Sequence, residues 1–156
     1  MLRTLVLIFV LSIIGCKSSN DLKVVKPSEN ITKLSKYVNL KSYKPLKVKW
    51  IYEKQGGPSN SRVPGPSDYK LEAVLFFDKA TIKELKENYS LLSVSLLPSP
   101  TKGQYKFEWL DQNIIKKLNN KNLMNYNSYF FNNGNTMDGT FTIVDDGIVL
   151  LTLFTK

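Results

Sequence analysis

Histidine does not occur in this 156-residue chain, cysteine occurs once and arginine twice. Without histidine, neither a Ser-His-Asp nor a Cys-His arrangement can be assembled, and the commonest metal ligand is missing. One cysteine excludes a disulfide within the chain and any multi-cysteine metal site. Arg3 and Arg62 are the only guanidinium groups, so the bidentate grip on bases and phosphates is almost absent and nucleic acid is not an expected partner. Long apolar runs are lacking as well. Residues 5–14 are apolar but for Ser12, which is about half the ~20 residues needed to cross a bilayer as a helix. Any reaction would have to use carboxylates, lysines or tyrosines. No catalytic residue, metal site or cofactor is expected.

The apolar run has informative flanks. Arg3 supplies a positive start, Gly15 is a small residue before Cys16, and Lys17, Ser18, Ser19 and Asn20 turn polar at once. Those are the three parts of an export signal. The stretch Ile13-Ile14-Gly15-Cys16 resembles the lipobox of bacterial lipoproteins, although that family more often has Leu three before the cysteine and Ala or Ser two before it. The resemblance implies cleavage between Gly15 and Cys16, a thioether-linked diacylglyceryl group on Cys16, and a further acyl chain such as palmitate on its amine. It also implies export and anchoring in the envelope, the outer membrane rather than the inner. One chain binds a membrane marginally, whereas two or more hold it stably.

The net charge of +9 is unevenly placed. Between Lys17 and Lys54 ten lysines face three acids, a net of +7; from Gln55 onward ten lysines and Arg62 face ten acids. The basic excess therefore belongs to the part nearest Cys16. It either holds that part against anionic headgroups or envelope polymers, or only keeps a tether soluble. Single spacing of the lysines favours the second.

Residues 16–45 read as a lipidated, lysine-rich tether, following a signal peptide at 1–15 and preceding one globular domain at 46–156. Within the tether, Ile31, Leu34 and Val38 recur at helical spacing after Pro27 and would allow a short helix to dock on the domain. From residue 46 the pattern is of strands. Leu46, Val48, Trp50 and Tyr52 alternate with polar positions, and residues 69–77 are apolar on both faces toward their end, as a central strand would be. Asp78 is placed to cap a helix over 79–89, and Asp111 a second helix carrying Ile114, Ile115 and Leu118. Further strands are expected at 92–97 and 104–109, where Tyr105, Phe107 and Trp109 alternate. A closing hairpin of 140–144 and 148–154 turns at Asp145-Asp146-Gly147, with positive φ expected at the glycine. The expected class is α+β: a mainly antiparallel sheet of about five to seven strands with two short helices on one face.

Acidic groups offer little. Asp138, Asp145 and Asp146 fit no calcium loop, and Glu72 and Glu108 sit at outward positions of alternating strands, where solvated charge is ordinary. Two stretches suit binding better. Arg62, Pro64 and Pro66 lie in a loop (55–68) with three glycines and three prolines, stiff enough to lose little entropy on ordering. Tyr126 and Tyr129, beside Phe130 and Phe131, stand among asparagines, and rings with amides hold sugars or extended peptides. Phe131 is expected in the core. The function these features suggest is a lipid-anchored, non-enzymatic envelope module that binds a protein or polymer. The alternatives are an immunity or inhibitor lipoprotein and, last, a carboxylate-based hydrolase.

Overall fold

Two strands are apolar on both faces, and they lie side by side at the middle of a sheet. The computed structural model describes residues 26–54, 69–90, 105, 107–120, 123–134 and 137–155. Among these, five strands form one sheet: β1 (Lys47–Lys54), β2 (Tyr69–Phe76), β3 (Asn125–Asn127), β4 (Met137–Asp145) and β5 (Ile148–Thr155). The order is β1-β2-β5-β4-β3 and every neighbouring pair is antiparallel. The α+β class and antiparallel sheet are as expected, with β2 and β5 central. The strand expected at 92–97, the loop 55–68 and the whole of 1–25 lie outside the described residues.

The helices do not share one face, which corrects the expectation. α2 (Lys79–Ser90) puts Ile82, Leu85 and Tyr89 against Leu71, Ala73, Leu75, Val149, Leu151 and Leu153. α3 (Gln112–Asn120) puts Ile114 and Leu118 against Val74, Val144 and Leu150, the intervening strand positions. Period-two alternation sends these two sets to opposite faces, so the sheet is buried on both sides. Asp78 does cap α2: its carboxylate accepts the Thr81 N–H at 2.8 Å and the Thr81 hydroxyl at 2.9 Å. Asp111 likewise accepts from the Asn113 N–H at 2.8 Å at the start of α3.

The composition boundary at residue 45 is not a packing boundary. Ser28 and Trp50 exchange backbone hydrogen bonds of 2.8 and 2.9 Å along the outer edge of β1. The one-turn helix α1 (Ile31–Leu34) follows, capped by Asn30, whose side chain accepts the Lys33 N–H at 2.8 Å. The chain then reaches Asn132, which bridges Val38, while Asn39 donates to the Phe131 carbonyl at 3.0 Å. Leu34, Val38, Leu40 and Tyr43 are all buried in the core that α2 also covers. Residues 26–45, assigned by composition to the tether, are thus a layer of the fold.

Two local expectations change. The described residues of 104–109 form no strand. The Asn119 side chain accepts the Tyr105 N–H and donates to the Tyr105 carbonyl, both at 3.1 Å, which occupies the groups a neighbouring strand would need. Gly147 closes the β4–β5 turn without positive φ. β4 shifts register between Ile143 and Asp145, and the Asp145 carboxylate takes the Gly147 N–H at 3.0 Å, so the bulge accommodates the turn. A different glycine is demanded by space: a Cβ on Gly139 would lie 2.1 Å from the Thr152 carbonyl oxygen.

Candidate binding surface

Antiparallel register sets Lys54 opposite Tyr69 and Tyr52 opposite Leu71, so Tyr52 and Tyr69 are diagonal neighbours on one face. Their rings stack at 4.9 Å with 2° between planes, and Tyr37 stacks on the other side of Tyr52 at 4.8 Å. Trp50 meets Tyr37 at a tilt, 6.0 Å away. All three tyrosines are half-buried. Partial burial, then the facing Tyr37 and Tyr69 hydroxyls, push the Tyr52 hydroxyl above its usual value. This ladder stands where β1 ends and β2 begins, the two points from which residues 55–68 depart. Arg62, Pro64 and Pro66 lie in that segment, outside the described residues. Sequence reasoning missed the ladder because three tyrosines at 37, 52 and 69 have no common period; only register joins them.

At the β3 edge the two candidate tyrosines part company. Tyr126 is half-buried, lying flat on Phe141 (5.2 Å, 24°) with Tyr89 edge-on at 5.1 Å. It is a core residue more than a surface one. Tyr129 opens a 3₁₀ turn (Tyr129–Phe131), is 69% exposed and touches Phe130 edge-on at 5.8 Å. Phe131, at the end of the same turn, is fully buried as expected. Tyr129 therefore presents most of its ring, whereas Tyr126, packed against the core, presents only part of it.

Three of the amides expected to accompany these rings, Asn119, Asn125 and Asn133, are engaged internally. Asn125 accepts from the buried Thr142 hydroxyl at 2.5 Å. Asn133 donates to the Ser35 and Lys36 carbonyls at 3.3 and 3.2 Å, closing the end of the α1 layer. Asn119 brackets Tyr105. Of these, Asn119 serves the part-buried backbone groups of Tyr105, which would otherwise lack partners.

Glu72 is not a solvated charge, and this corrects the outward assignment. It is 5% exposed, ion-paired with Lys70, and its other oxygen accepts the Trp109 indole N–H at 3.1 Å. The alternation argument placed it correctly on the second face, but that face is covered. Glu108, next to Trp109, is exposed. The remaining acids tie elements together: Asp145 pairs with Lys117 of α3 at 2.5 Å and Asp146 with Lys86 of α2 at 2.9 Å. Asp138 accepts from the Ser128 hydroxyl at 3.3 Å and from Gly139 N–H at 2.8 Å. Among the described residues, no three acids or cysteines converge as a metal site would require. Nor is any helix there long and apolar enough to cross a membrane.

Comparisons with family models, with curated proteins and with solved structures give no match to this chain.

Proposed function

We propose that the protein is a lipid-anchored module of the bacterial cell envelope that binds a macromolecular partner without transforming it. The observation that carries this reading is Cys16, the only cysteine, at the end of a short apolar run behind a charged start and a small residue. With no histidine and no second cysteine in the chain, lipid attachment is the chemistry that best accounts for it. Binding is supported by the tyrosine ladder at the adjoining ends of β1 and β2 and by the exposed Tyr129 ring. Flat rings held by packing give contact area at little entropic cost. The charged side chains of the second face support a structural role: Glu72 is held by Lys70 and Trp109 and is not open to a substrate.

The test has two arms. In the first, Cys16→Ser abolishes incorporation of a labelled fatty acid and releases or stalls the protein; unchanged labelling and membrane retention contradict the anchor. In the second, crosslinking in native membranes captures a partner whose yield falls when Tyr129 is replaced by Ala. Turnover on a hydrolase panel, abolished by one carboxylate substitution, contradicts the non-enzymatic reading.

A further inference from the structure

The lysines nearest the anchor are carried by a folded layer, and that changes what they can do. Along residues 26–46, Leu34, Val38, Leu40 and Tyr43 are buried and Ile31 and Tyr37 pack against the same core. Burial of those positions leaves Lys26, Lys33, Lys36, Lys41 and Lys44 outward, and all five are exposed. The only acid in this stretch, Glu29, is paired with Lys47 at 3.6 Å. Elsewhere several lysines are paired: Lys83 with Glu87 and Lys86 with Asp146 from α2, Lys117 with Asp145 from α3. Among the described residues none of the five lysines pairs with a carboxylate. Lysines scattered singly in the sequence are therefore carried outward on one folded layer.

We infer that this layer docks on the anionic lipid headgroups of the membrane that holds Cys16, and so sets which side of the domain faces away from it. The inference rests on the lipid-anchor reading. Two observations select lipid as the occupant. Nine residues lie between Cys16 and Lys26, ten steps of chain that span at most about 35 Å however they run. The basic layer begins where that chain ends, so it is the part of the described fold tethered closest to the bilayer. The layer also carries lysine and no arginine. Compact, hydrated point charges suit a diffuse sheet of headgroups, whereas forked recognition of a particular phosphate or carboxylate favours arginine. Each lysine brought within about a Debye length (~8–10 Å) of such a surface favours contact about fivefold.

The test is lysine footprinting of the full chain, purified from membranes and reconstituted into vesicles. One set is phosphatidylcholine alone; the other also contains phosphatidylglycerol. Acetylation by an amine-reactive reagent is read residue by residue by mass spectrometry. The expected result is that Lys33, Lys36, Lys41 and Lys44 react about fivefold more slowly on anionic than on neutral vesicles. That protection should vanish in about 0.5 M salt, while Lys116 on α3, across the sheet from this layer, does not change. Equal reactivity on both vesicles overturns the inference. So does equal protection of Lys116 on the opposite face, or protection by a soluble polyanion that the vesicles do not reproduce. Flotation with neutral vesicles reads the anchor separately, since charge takes no part in it.

Discussion

Glu72, Trp109 and Lys70 show how one buried carboxylate can hold the second layer to the sheet. Trp109→Phe removes the indole donor while keeping most of the ring, and leaves one Glu72 oxygen without a partner. The expected loss is about 1–3 kcal/mol in denaturant unfolding. The same change in a Glu72→Gln background should cost less, because a neutral amide oxygen is cheaper to leave unpaired than a carboxylate. Equal costs in both backgrounds would mean that only packing is lost. The tyrosines carry a pH signature of their own. Burial raises the hydroxyls of Tyr89 and Tyr105, and burial with the neighbouring rings raises Tyr52. A raised folded value means that the native state keeps its protons longer than the unfolded chain. Their contribution is therefore intact below the ordinary tyrosine value of about 10 and is lost as pH rises beyond it. Thermal midpoints should fall in that alkaline range, and Tyr89→Phe should flatten the fall. Asp78 acts oppositely: hydrogen bonds from Thr81 hold its carboxyl below the usual range, so its small contribution is lost as pH falls through that lowered value.

At the scale of elements, the layer of residues 26–45 is the most consequential. If it were a tether, Leu34→Ala would leave stability unchanged. With Leu34 fully buried, the expected loss is about 2–5 kcal/mol, against near zero for Lys33→Ala beside it. The β4–β5 pairing gives a second expectation. Gly139→Ala drives a Cβ into the Thr152 carbonyl and should cost about 3 kcal/mol, measurable as a lowered urea midpoint. Why some elements were legible and others not follows from where their determinants lie. β1, β2, α2 and the β4–β5 hairpin carry their own period and caps, so Val48, Trp50, Asp78 and Asp145 announce them locally. The α1 layer was legible in part: Ile31, Leu34 and Val38 at helical spacing announced a docked helix. The lysines hid that the segment through Tyr43 packs on a sheet formed later in the chain. The aromatic alternation at Tyr105, Phe107 and Trp109 looked like a strand, but alternation does not reveal that an asparagine fourteen residues away satisfies the backbone. Glu72 was assigned to solvent because a single strand cannot show whether its second face is covered.

For the whole molecule, packing of residues 26–45 onto the sheet makes the lysines of that segment part of the domain's own surface. Tyrosine rings stand at the end of β1 and the start of β2, and an exposed ring follows β3. Of the candidate surface read from sequence, Tyr129 is exposed, Tyr126 belongs to the core, and the ladder of Tyr37, Tyr52 and Tyr69 became visible only through strand register. The measurement that bears most directly on the account is the mass of the N-terminal peptide of the protein isolated from native membranes. The account predicts a peptide that begins at Cys16 and carries a diacylglyceryl thioether with an acylated amine. A peptide with a free Cys16 thiol, or one still joined to residues 1–15, would contradict it.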